Sequence, residues 1–372
     1  MDYETPQFYR VMQYAARADR DVVDMVSGSP DWNPPAGVRD GLREYADADA
    51  ADFQYAPSRG LRGLREQIAA RHGVDTDRIV VTNGAGEANH LAMTCGLDHF
   101  DGGEILLADP VYPYYAGRAN FLDAETTFVP VGAEGRLDPD AVRAAASSET
   151  AVVVVNSPNN PTGAVYDADA MAAFAAVAEE NDALLVADEV YDRFDYSGRF
   201  ASALDVDSPN VVATNAFSKS MAITGFRVGY AVFPPTDGPT GDLVDRATTR
   251  HMLTNVSGSR PAQHAVERAM ETTEPSYYEG ARDRLRARIE TFCDALDAAG
   301  ATYTRPDGGF YVLARFPDFP GTFENAEVLV DDAGVAGMPG AAFGEARADD
   351  LRFSLTTPRV ETAAERLVEY FG

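Results

Sequence analysis

This chain of 372 residues holds 30 arginines and a single lysine, Lys219. Arginine replaces lysine in most surface roles, but its guanidinium stays protonated and cannot do amine chemistry. A lone ε-amine points to a task that needs a deprotonatable primary amine, such as Schiff-base formation. The plainer alternative is one exposed lysine that survived by chance, and the residues around the candidate strand ends weigh between the two. After Arg78–Thr82 comes Asn83-Gly84-Ala85-Gly86 and then a helical pattern, so free N–H groups and the positive end of a helix dipole are offered to a phosphate. After Ala151–Val155 comes Asn156-Ser157-Pro158-Asn159-Asn160-Pro161-Thr162-Gly163, a stiff polar turn carrying an amide. After Ala183–Ala187 comes Asp188-Glu189-Val190-Tyr191; after Asn210–Thr214 comes Ala216-Phe217-Ser218-Lys219, with Arg227 eight residues beyond the lysine.

A phosphate cradle, an amide, a carboxylate with a phenol, and an amine with a guanidinium match the parts of pyridoxal 5'-phosphate. The amine suits its aldehyde, and the carboxylate keeps the pyridine nitrogen protonated so that the ring draws electrons. The amide and phenol suit the ring oxygen, while the guanidinium and helix N–H groups suit the phosphate. Singly, each residue has a blander role. Asp188 could cap a helix and Tyr191 fill a core. Arg227 and Arg352 could be surface residues like other arginines, and Tyr112, beside Tyr114 and Tyr115, could be ordinary packing.

These groups need elements to hold them. Short β-branched runs, among them Glu104–Ala108 and Val228–Phe233 besides those above, alternate with helical stretches such as Asp167–Glu180. Continuous runs such as AVVVV and ALLVA read as strands buried on both faces, the mark of a mostly parallel sheet. Ala88, Leu91, Ala92 and Cys95 recur at helical spacing. The order predicts an α/β fold with helices on both faces of the sheet and ligands at the carboxyl ends of its strands. From about Tyr277 the pattern changes to a long helix (Leu285, Ile289, Phe292, Cys293 and Leu296 on one stripe), short strands at Phe310–Arg315 and Leu351–Leu355, and a final helix with Ala364, Leu367, Val368 and Phe371. The expected division is residues 1–30 as an N-terminal arm or part of the small unit, 31–276 as the large domain, and 277–372 as a smaller α+β domain.

Composition narrows the function classes. Against 31 basic residues stand 37 Asp and 22 Glu, a formal net charge of -28. A chain this acidic has no basic surface for nucleic acid or an anionic membrane. The acids are spread along the sequence, as in a solvated shell adapted to high salt. No apolar run approaches the ~20 residues of a membrane helix, and the first ten residues show no secretory pattern. Cys95 and Cys293 read as buried thiols, and neither they nor the five histidines have metal-ligand spacing. A cytoplasmic protein is expected.

With these motifs in place, the chain resembles the class I/II, fold-type I, pyridoxal-phosphate-dependent aminotransferases from Val26-Ser27-Gly28 to Leu351-Arg352-Phe353. The segment from Ser218 to Gly229 is similar to that family's lysine signature. Asn160-Pro161-Thr162-Gly163, Asp188-Glu189-Val190-Tyr191, Tyr55…Gly60…Leu64-Arg65 and Pro339-Gly340…Phe343-Gly344 follow in the family's order. The resemblance implies that Lys219 holds the cofactor and shuttles a proton between Cα and C4′. Asp188 would pair with the pyridine nitrogen, and Asn160 and Tyr191 would bond the ring oxygen. Ala85, Gly86, Ser218 and Arg227 would hold the phosphate, and Tyr112 would stack on the ring. Arg352 would clamp the substrate α-carboxylate, and Gly28 would close over it. Tyr55 would reach the phosphate of a neighbouring subunit, implying a homodimer with composite sites. The implied activity moves an amino group between an L-amino acid and a 2-oxo acid, with aspartate or aromatic substrates in view. A pyridoxal-phosphate-dependent C–S β-lyase is the alternative.

Two departures stand out. Ala216 occupies a position where the family has Ser or Gly. Gly86 stands where one aspartate-using subgroup has Lys, so an arginine would have to bind a side-chain carboxylate, and the sequence does not say which. A more distant alternative is a nicotinamide-dinucleotide protein. Gly84-Ala85-Gly86-Glu87-Ala88-Asn89, followed by Asp109, partly imitates its fingerprint but has Asn89 in place of the third glycine.

Overall fold

A computed structural model describes residues 7–372 of the chain; residues 1–6 of the expected N-terminal arm lie outside the described residues. Seven strands form the central sheet: β1 (Ile79–Thr82), β2 (Glu104–Asp109), β3 (Glu125–Pro130), β4 (Thr150–Asn156), β5 (Leu184–Asp188), β6 (Val211–Ala216) and β7 (Gly229–Val232). Their spatial order is β1-β7-β6-β5-β4-β2-β3. Every neighbouring pair is parallel except those made by β7, which runs antiparallel to both β1 and β6.

The valine and leucine runs are buried on both faces because successive side chains point to opposite sides of the sheet. Val152, Val154, Leu184 and Val186 pack under the Ala85–His99 helix with Ala88, Leu91, Ala92 and Cys95. Val153, Val155, Leu185 and Ala187 meet Met171, Phe174, Ala175 and Ala178 of the Ala168–Glu180 helix. Each fully buried side chain of this size contributes about 1.5–3 kcal/mol. Asp167, expected as the first helical residue, is instead the cap: its carboxylate accepts a 3.0 Å bond from the Ala170 N–H. Strand β3 was not foreseen. It is the sheet edge, with Glu125, Phe128 and Pro130 exposed, so it lacks the continuous apolar run that marked its neighbours.

A second, four-stranded sheet has β8 (Tyr311–Arg315) between β9 (Leu351–Ser354) and Thr302–Tyr303, with Met338–Pro339 beyond β9; all its pairs are antiparallel. The Pro275–Ala298 and Val360–Phe371 helices close its core through Leu296, Phe292, Phe353 and Leu367. Near the N-terminus, Val23–Asp24 pairs in parallel with Val335–Ala336, which ties the segment leading to Gly28 onto this smaller unit. Among the described residues no helix is long and apolar enough to cross a membrane. Both cysteines are buried free thiols.

Candidate active site

The carboxyl ends of β4, β5 and β6 lie side by side and present Asn156, Asp188 and Ala216 to one pocket of about 440 Å³. Immediately after β6, the four-residue helix Phe217–Ser220 sets Lys219 into its wall. The Lys219 Nζ donates to the Gly28 carbonyl oxygen at 2.6 Å. Burial, and then the nearby Arg352 and Arg227 guanidiniums, push its pKa down from 10.5 to about 8.

Asp188 is the last residue of β5 and is buried. Its Oδ2 accepts two 2.6 Å bonds, from Asn89 Nδ2 and Tyr115 Oη, and its Oδ1 accepts from the Val190 N–H at 3.1 Å. Asn89 is itself fixed by Thr214, whose hydroxyl donates to Asn89 Oδ1 at 2.5 Å. Burial raises the carboxyl pKa, while the three donors and Arg118 pull it back. A buried carboxylate so surrounded favours a cationic partner in the pocket.

Ala85 and Gly86 open the 15-residue Ala85–His99 helix, so their N–H groups are free of intrahelical partners. Gly84 caps it with φ +82°, and a Cβ there would stand 2.3 Å from Arg227 Nη2; only glycine lets the guanidinium approach. Arg227, itself left-handed at φ +55°, donates to Asn83 O at 3.1 Å, Thr224 O at 3.0 Å and Ser218 Oγ at 3.4 Å. A guanidinium with no carboxylate partner among the described residues, at a helix N-terminus, fits a dianionic phosphate.

Arg352 of β9 lines the same pocket and is fully buried. It donates to Asn160 Oδ1 at 3.2 Å and to the Val26 carbonyl at 2.5 Å, and its guanidinium lies 4.2 Å over the Tyr311 ring. Tyr311 Oη meets Tyr191 Oη at 3.3 Å. A Cβ on Gly28 would fall 2.0 Å from Tyr311 Oη, so this phenol packs against the bare glycine. Tyr112 joins the wall against Tyr114 and Tyr115, with ring centroids 4.9 and 5.6 Å apart. Burial pushes the Tyr112 and Tyr191 phenols up.

Lys219, Asp188, Tyr191, Ala85, Gly86, Tyr112, Asn160, Ser218, Arg227, Gly28 and Arg352 therefore all line one pocket. Tyr55 does not: it is 79% exposed in the single chain. Sequence reasoning missed Asn89, Tyr115, Thr214, Tyr311 and Arg118. Asn89 had a signal, a polar residue among the apolar positions of a helix packed on the sheet. In the distant dinucleotide alternative the same Asn89 stood for a packing glycine, whereas its side chain is bound to Asp188.

Comparison with known proteins agrees with this geometry. The family model described as aminotransferase class I and II matches residues 20–367. The aspartate/prephenate aminotransferase of Thermus thermophilus is 32% identical, the match covering 95% of this chain and 91% of the relative. An aromatic-amino-acid aminotransferase of Thermococcus litoralis is 27% identical over 99% of this chain and 96% of its own. The solved structure of aspartate aminotransferase from Thermus thermophilus with maleate superposes with a TM-score of 0.89 at 29% identity, covering 98% of this chain and 97% of that one.

Proposed function

The chain belongs to the class I and II aminotransferases, pyridoxal-phosphate-dependent enzymes that exchange an amino group between an amino acid and a 2-oxo acid, and from that premise we propose roles for its own residues. The pocket fits the cofactor. A deprotonatable amine, a buried carboxylate held by three donors, and a glycine-capped helix start beside Arg227 line one pocket. When bound, pyridoxal phosphate supplies an aldehyde and a protonated ring that draws electrons from the substrate Cα.

Lys219 would hold that group through Nζ and, once freed, would serve as the base for the proton on the substrate Cα; a pKa near 8 keeps a usable fraction of the amine neutral. Asp188 holds the ring nitrogen's proton, with Asn89 and Tyr115 fixing the carboxylate. Ala85, Gly86, Ser218 and Arg227 would hold the phosphate, and Tyr112 would pack against the ring. Arg352, steered by Asn160 and Val26, binds the α-carboxylate, and Gly28 and Tyr311 shut that end against water. Tyr191 and Asn160 would hydrogen-bond the ring oxygen.

The relatives' names support donors with acidic or aromatic side chains. A homodimer is part of the reading. Arg260 donates to the Asp52 carboxylate and the Gln54 carbonyl and so ties down the segment before the exposed Tyr55; Leu253 and Val256 are exposed as well, and a second copy that covered these side chains would let Tyr55 complete its pocket. We also place the enzyme in the cytoplasm, in a high-salt setting suited to its acidic surface, with residues 31–276 as the cofactor-binding domain and 277–372, joined by the N-terminal arm, as the small domain.

The observation that carries the assignment is the placing of the only lysine beside Asp188, Arg227 and Arg352. Borohydride reduction of the holoenzyme tests it: the cofactor should be fixed to the one peptide containing Lys219, and Lys219→Ala should abolish both the label and turnover. Label on any other peptide, or turnover by Lys219→Ala at the wild-type rate, would refute it.

A further inference from the structure

We propose that Arg118 binds a second, side-chain carboxylate of the substrate, making dicarboxylic amino acids and 2-oxo acids the preferred pair; this rests on the aminotransferase reading above. Arg118 lies on the Pro113–Phe121 helix and lines the same pocket as Lys219. Its Nη1 donates to the Tyr114 carbonyl at 3.0 Å, and the guanidinium stands 5.9 Å from the Tyr114 ring centroid. Those contacts orient the fork and place its cation near an aromatic face, but among the described residues no carboxylate neutralises it. Other arginines of this acidic chain do find nearby acids: Arg143 pairs with Asp140 on its own helix, and Arg246 with Asp242, which caps its helix.

Gly86 makes room for it. A Cβ at position 86 would lie 3.0 Å from Arg118 Nη2, so the guanidinium reaches across the bare start of the helix. It faces the reacting site closely enough for its charge to lower the Asp188 pKa.

Charge balance points the same way. In a chain of net charge -28, the pocket is lined by Arg118, Lys219, Arg227 and Arg352 but, among the described residues, by only one carboxylate, Asp188. Arg227 and the helix N-terminus answer the cofactor phosphate, Lys219 its aldehyde, and Arg352 the α-carboxylate. Arg118 is left for a further anion, and its planar fork matches a carboxylate in two parallel bonds.

The test compares holoenzymes of the wild type, Arg118→Met and Arg118→Lys. Values of kcat/KM are measured for aspartate and glutamate against alanine and phenylalanine, and binding of succinate against butyrate is followed by calorimetry. The dicarboxylic-to-monocarboxylic ratio should fall about 100-fold in Arg118→Met, the loss of a charged hydrogen-bonded pair. Arg118→Lys should restore part of that ratio, and the preference for succinate should vanish in Arg118→Met. An unmoved ratio, with both donor classes falling together, would show a structural role and overturn the proposal. Loss of cofactor with an unmoved ratio would assign the guanidinium to the phosphate and overturn it equally. A wild type that transaminates only monocarboxylic donors overturns this inference alone; a wild type in which Lys219 is never labelled overturns the aminotransferase roles beneath it.

Discussion

The Lys219 amine donates to the Gly28 carbonyl oxygen at 2.6 Å, across 191 positions of sequence. This bond joins the end of a sheet strand to the segment that Val23–Asp24 ties to the smaller unit. The reactive nitrogen is thus enclosed from two sides, and its proton affinity is set by that enclosure.

Burial beside Arg352 and Arg227 sets the pH at which the apoenzyme captures its cofactor. The rate of capture, followed by the visible absorbance of added pyridoxal phosphate, should rise with a midpoint near pH 8. Stability follows with a definite sign. Between about pH 8 and 10.5 the unfolded chain retains a proton that the folded chain has lost, so apoenzyme stability rises with pH across that window. Below it the folded state carries the full cost of the buried charge. Lys219→Met should therefore melt higher than the wild-type apoenzyme at pH 7, with the gap closing as pH rises. A capture midpoint at 10.5 and a constant gap would contradict the enclosure.

Gly28→Ala places a methyl group 2.0 Å from Tyr311 Oη. Tyr311 is buried and carries contacts to both Tyr191 and Arg352, so it cannot swing away freely. Thermal melting should show a loss of about 1–3 kcal/mol. Because Tyr311 lies beneath the Arg352 guanidinium, KM for the amino donor should rise more than kcat falls. Melting and KM unchanged from wild type would mean that the phenol has another resting place.

Association of two chains should depend on salt and on Tyr55. Each chain carries -28, so partners repel at low ionic strength and screening relieves that repulsion. Light scattering should give the mass of two chains in concentrated KCl and a falling mass on dilution of the salt. Tyr55→Phe should weaken cofactor binding about tenfold, the loss of one hydrogen bond to a charged group. A single-chain mass at every salt concentration, with Tyr55→Phe binding cofactor normally, would remove the composite site.

The strand ends were legible because buried parallel strands announce themselves as unbroken apolar runs, and the residues that follow them must face the ligand side. Asn156, Asp188 and Lys219 could be placed that way. The β3 edge was not, since half of its side chains meet water and its pattern is polar. What holds the site together was harder still. Tyr115 and Thr214 reach Asp188 and Asn89 only through the packing of a helix over the sheet. Tyr311 and Val26 reach the pocket from the smaller sheet and from the segment leading to Gly28, contacts made at separations that no local pattern records. Arg118 gave no signal among 30 arginines until the space beside Gly86 could be seen.

The solitary lysine has one more consequence. An endoproteinase that cuts only after lysine has a single target in the whole chain, the bond between Lys219 and Ser220. That bond lies within a short helix buried against the sheet, so the native molecule offers no scissile loop there. Nicking into two fragments, 1–219 and 220–372, would count only those molecules whose cofactor pocket has come undone.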